Sequence, residues 1–104
     1  MPVQAYFFLL TLLLSQHGLT ATVQDGYDAL ERGDVEQGIG IWRDLAGQGD
    51  TTAQLNMGQL YRLGNGVTAS DEAAVQWYIK AAKGGSSIAK YNLVMMHEDG
   101  RAND

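Results

Sequence analysis

Residues 53–82 read AQLNMGQLYRLGNGVTASDEAAVQWYIKAA, and their spacing decides the fold. Ala53, Met57, Leu60, Tyr61 and Gly64 fall at i, i+4, i+7, i+8 and i+11, one face of a helix with 3.6 residues per turn. Ala74, Trp77, Tyr78, Ala81 and Ala82 draw a second such face at i, i+3, i+4, i+7 and i+8. Between the two lie Gly64, Gly66 and the polar Thr68 and Ser70, the usual punctuation between helices.

Moving outward, a shift of 36 residues lays the chain on itself. Trp42 falls on Tyr78, Leu45 on Ala81, Ala46 on Ala82, Gly49 on Gly85 and Ala53 on Ala89. Asn56 then meets Asn92, Met57 meets Leu93, Leu60 meets Met96, and Gly64 meets Gly100. One register kept across small and large apolar positions is the mark of a repeat, each unit burying its apolar face on the next. Gly38, Ile41, Trp42, Leu45 and Ala46 show the same helical spacing upstream.

Asp50, Ser70 or Asp71, and Ser86 or Ser87 stand where amino-terminal caps belong, and Gly64, Gly66, Gly84 and Gly85 where a helix ends left-handed. The spacing predicts an all-α chain of about five antiparallel helices: 24–33, 35–47, 51–63, 71–83 and 87–99. The first pair turns more tightly, from Gly33 to Gly38, than the second, from Gly64 to Ala74. Trp42 and Trp77 are expected to fill the gaps between small residues. Loss of Trp77 to alanine is expected to cost about 3–5 kcal/mol.

These residues resemble a known family. Ala53 to Tyr61, Gly64-Asn65-Gly66-Val67, Asp71 and Ala74 to Ala82 together look like one complete Sel-one-like repeat. Ala89 to Gly100 is similar to the opening helix of a next repeat, and Trp42 to Ala46 with Gln48-Gly49-Asp50 to the closing helix of a preceding one. The division expected is a partial repeat at 24–49, a full one at 50–85 and a partial one at 86–104, together forming a domain over 22–104. The resemblance implies a right-handed α/α superhelix related to tetratricopeptide repeats, and work as an adaptor or scaffold for protein complexes. Three positions depart from the pattern. No cysteine exists to form the disulfides of some exported relatives, Val94 stands where Gly58 leads one to expect glycine, and His97 replaces the tyrosine represented by Tyr61.

The ends and the charge add further expectations. Val3 to Leu14 is almost wholly apolar, as long as the core of a signal peptide and too short for a bilayer span, which takes roughly 20 residues. Residues 1–21 are therefore read as a signal peptide cleaved after Ala21, which predicts a periplasmic or secreted protein with no stable membrane span. No Lys or Arg precedes Arg32 to strengthen that signal. The formal charge is −5 and no basic run occurs, which argues against binding nucleic acid through its phosphates. The absence of cysteine excludes thiolate zinc sites and cysteine catalysis.

Nothing in the spacing assembles an active site. Ser87-Ile88-Ala89-Lys90 fits the S-x-x-K of penicillin-recognising serine enzymes, but Ala89 belongs to the repeat and Ser87 is a candidate cap. Gly64-Asn65-Gly66 follows a helix and lacks the lysine of a phosphate loop. His97, in the place of Tyr61, is read as a partly buried core residue. No enzyme, metal site or cofactor is expected. The acidic residues near 25–36 are read as a solvated face.

The residues singled out for binding are those of the first, third and fifth helices that point away from the repeat core. By analogy with tetratricopeptide geometry, Asp28, Glu31, Leu55, Gln59, Arg62, Tyr91, Met95 and Glu98 line a concave groove for a protein or peptide partner. Leu55, Tyr91 and Met95 are apolar where water is expected. No helix follows the fifth, so Leu93, Met95 and Met96 are expected to stay partly uncovered, and a homodimer through that helix is one way to cover them. The function expected is an exported interaction scaffold. The alternatives are a regulatory or assembly subunit of an envelope polysaccharide system and a β-lactamase-like hydrolase.

Overall fold

The computed structural model describes residues 20–101. Five helices follow one another: α1 (Val23–Glu31), α2 (Val35–Gly47), α3 (Thr51–Leu63), α4 (Asp71–Lys83) and α5 (Ser87–Glu98), with no strand among the described residues. The substantial packing is between consecutive helices, as in a tetratricopeptide-like α/α repeat. The expected signal peptide lies outside the described residues except for Thr20 and Ala21.

α3, α4 and α5 begin where a side chain holds one of their first N–H groups. Asp50, Ser70 and Ser86 accept from the backbone N–H of Ala53, Ala73 and Ala89 at 2.8, 3.1 and 3.0 Å. α1 starts earlier than 24, because Thr22 and Asp25 form a reciprocal capping box. It also ends earlier than 33, at Glu31, since Gly33 has already turned to φ +88.

The repeat survives in the backbone. Gly49 and Gly85 carry φ values of +101 and +102, a conformation that favours glycine. The N–H groups around them donate to the same carbonyls one repeat apart, Asp50 to Leu45 and Ser86 to Ala81, both at 3.0 Å. Gly64 and Gly66 are left-handed as expected, but Gly84 is not: its φ is −81, and Gly85 makes the turn in its place.

Two buried clusters lie end to end. Ile39, Trp42, Ala46, Ala53, Met57 and Leu60 form the first, and Ala74, Tyr78, Ala81, Ala89 and Met96 the second. Tyr61 packs against both. Each cluster holds one aromatic ring seated over a glycine of the preceding helix. A Cβ on Gly58 would stand 2.5 Å from the Tyr78 ring, and one on Gly26 would collide with the Trp42 indole. The Trp42 indole N–H donates to Val23 O at 3.0 Å, and its ring meets Tyr27 edge-on at 4.8 Å.

Three expectations about the core need correction. Trp77 is only partly buried, with Lys80 Nζ 4.6 Å above its ring, because it is Tyr78 that occupies the register of Trp42. The cost expected for Trp77 therefore belongs to Tyr78. Met96 is buried at 2% exposure, whereas Met95 is open and Leu93 half-buried as expected, and Ile88, Tyr91 and Val94 are open on α5 as well. His97 is exposed at the end of α5, not partly buried.

Candidate functional site

Between α3, α5 and the turn after α5 runs a cleft of about 210 Å³, lined by Arg62, Tyr91, Asn92, Met95, Met96, Asp99 and Arg101. Three residues of the expected groove, Arg62, Tyr91 and Met95, thus come together. Helix spacing explains the pairing on α5, where Tyr91 and Met95 sit one turn apart. Tyr91 is 64% exposed, an open aromatic surface beside the two arginines.

Gln59 stands behind Arg62 in a polar triad. The Tyr78 hydroxyl donates to Gln59 Oε1 at 2.9 Å, Arg62 Nη2 donates to the same oxygen at 3.0 Å, and Arg62 Nε donates to the Tyr78 hydroxyl at 3.1 Å. The triad fixes the guanidinium at the cleft and gives the buried phenol its partners. Arg101 reaches Asp71 through Nε at 3.1 Å and also through Nη2, which in turn donates to Arg62 O at 3.4 Å.

The remaining expected residues lie elsewhere. Leu55 is half-buried against the second cluster and lines a separate hollow of about 310 Å³ with Thr51, Thr52 and residues 84–88. Asp28 accepts from the Gln24 amide at 3.0 Å on α1, and Glu31 is exposed at the end of that helix. Glu98 is exposed at the end of α5. Ser87 and Lys90 lie exposed on the first turn of α5, which Ser86 caps.

Of two residues matched only as repeat markers, Asn92 lines the cleft and Asn56 lies outside it. Asn56 and Asn92 occupy the same register on α3 and α5, and each has a buried Nδ2 with no acceptor. Asn56 Oδ1 accepts from the Tyr27 hydroxyl at 3.2 Å. An unpaired buried donor costs about 1–3 kcal/mol, so the two amides weigh against the stability of the folded chain. The 36-residue match was the available signal, since a polar residue conserved between two repeats at a half-buried position calls for a partner.

The Arg101 pair gives the rim of the cleft a pH dependence. Asp71 is held below its ordinary value of 3.8, chiefly by the hydrogen bond from Arg101, which is itself raised by the same bond. A lowered carboxyl value means that the pair stabilises the folded turn above pH 3.8 and is lost as pH falls through the folded-state value. The pair is exposed, so its effect is local. The Arg101 amide, which donates to Met96 O at 2.8 Å, is expected to lose hydrogen-exchange protection as the pair protonates below pH 3.8. Asp71→Asn should abolish that pH dependence.

Residues 51–86 match the family model of the Sel1 repeat. No curated protein and no solved structure matches the chain. The match spans α3, the loop after it, α4 and the turn into α5, the segment that carries Gly58, Gln59, Arg62 and Tyr78.

Proposed function

We propose, on the premise that the chain is a Sel1-like repeat protein, that it is an exported adaptor whose cleft between α3 and α5 binds a protein partner. Sel1 repeats are protein-interaction repeats, which favours a binding role over a catalytic one. The observation that carries the reading is the cleft itself, where Arg62 and Met95 stand beside the open ring of Tyr91. An apolar side chain of the partner covers Tyr91 and Met95. Arg62 and Arg101 suit a segment of acidic or neutral character. Export rests on the apolar run from Val3 to Leu14. The same reading includes self-association through the outward face of α5.

The test is photo-crosslinking from position 91 in an envelope extract, followed by binding of the purified partner to variants. The expected result is one dominant partner whose affinity falls at least tenfold with Tyr91→Ala, about 1.4 kcal/mol, and falls also with Arg62→Ala. Unchanged affinity in both variants, with their folds intact, would remove the groove from the reading.

A further inference from the structure

An asparagine followed by glycine is chemically labile, because glycine has no Cβ to keep its nitrogen away from the preceding side-chain amide. An aspartate before glycine rearranges by the same route. The chain holds three such pairs, Asp25-Gly26, Asn65-Gly66 and Asp99-Gly100. Their main-chain hydrogen bonds separate them. Gly26 N donates to Thr22 O at 3.3 Å, and Gly100 N donates to His97 O at 3.0 Å. Gly66 N donates to no acceptor among the described residues, so only the turn between α3 and α4 offers an attacking nitrogen that is not already engaged.

Asn65 and Gly66 are both exposed, so water reaches the pair. The Asn65 main-chain N–H donates to Leu60 O at 3.0 Å, which fixes the start of the turn. Asn65 also carries the better electrophile of the three, since a neutral amide does not repel an attacking nitrogen as a carboxylate does. It lines neither the cleft nor the hollow beside Leu55, which keeps this chemistry apart from partner binding.

We propose that Asn65 is a site of spontaneous deamidation in the folded chain. The Gly66 nitrogen gives up its proton and bonds to Asn65 Cγ, the Cγ–Nδ2 bond breaks, and ammonia leaves with that proton. Water then opens the cyclic imide. Opening at Cγ leaves aspartate, and opening at the main-chain carbonyl leaves isoaspartate, with the chain running through Cγ. Either product adds one negative charge to the formal −5. Isoaspartate also lengthens the main chain by one carbon, and the turn has little room for it. A Cβ on Gly66 would stand 2.5 Å from Ile39 Cδ1 and 2.8 Å from Val35 Cγ1, so Gly66 already presses on α2. Ile39 belongs to the first buried cluster, and isoaspartate therefore loosens the turn from that cluster.

The experiment holds the full chain at neutral and at mildly alkaline pH, samples it over days, and maps it by mass spectrometry after digestion in mild acid. An isoaspartyl methyltransferase with a labelled methyl donor marks isoaspartate. The expected result is acid accumulating at residue 65 in proportion to hydroxide, with the methyl label confined to that residue and both signals lost in Asn65→Gln. The denatured chain, aged alongside, sets the rate of the unprotected pair. An intact Asn65 over an interval in which the denatured chain converts would overturn the proposal, and so would label that appears first at residue 25 or 99. The aged, isoaspartyl chain should also unfold at a lower denaturant midpoint than Asn65→Asp, which carries the charge without the extra carbon. Equal midpoints would overturn the effect on the turn and α2.

Discussion

Replacing Tyr78 with alanine is expected to destabilise the chain by about 3–5 kcal/mol, enough to unfold much of it at room temperature. The ring is fully buried in the second cluster, where the other buried side chains are three alanines and Met96. Its removal opens a cavity between α3 and α4 and takes the hydroxyl from Gln59 and Arg62. Chemical denaturation followed by far-ultraviolet circular dichroism measures the loss. Trp77→Ala serves as the comparison one residue away. Its ring is only partly buried beneath Lys80, so its cost should be well under half that of Tyr78→Ala. Equal costs for the two would mean that the register linking Trp42 to Tyr78 is wrong.

Gly58→Val should cost about 3 kcal/mol by the opposite route, overfilling instead of emptying. Even the first added carbon would stand 2.5 Å from the Tyr78 ring, so α4 must move away from α3 or the ring must leave its place. Either response pulls the hydroxyl from the Gln59 and Arg62 triad. The same substitution in a Tyr78→Ala background should cost far less, because the space it needs is then vacant. The coupling between the two sites, read from a double-mutant cycle in denaturation midpoints, is expected to exceed 1 kcal/mol, roughly the level that marks direct contact. Additive losses would show that the glycine is required for some other reason.

The fold was legible because local and periodic signals agreed. α2, α3 and α4 have the bounds that spacing and caps predict, and Asp50 caps from the position its chemistry suggests. Adjacent residues at the edge of an apolar face were harder. Trp77 and Tyr78 both fit the pattern, and only the packing against Gly58 decides which ring turns inward. The site was legible in part. Helix spacing sufficed to put Tyr91 and Met95 on one surface, but Leu55 lines a different hollow, beside the turn between α4 and α5. Arg101 could not have been found, since nothing local ties it to Asp71, 30 residues earlier. The unpaired amides of Asn56 and Asn92 lay in plain view as a repeat match, but their burial depends on neighbours that sequence alone does not position.

Tyr61 touches both buried clusters, and this sets how far a disturbance travels. A chain whose helices grip only their neighbours melts piecemeal unless something ties the segments into one cooperative unit. A single phenolic ring at the middle of the stack is such a tie. A change that displaces this ring is therefore felt by both clusters at once.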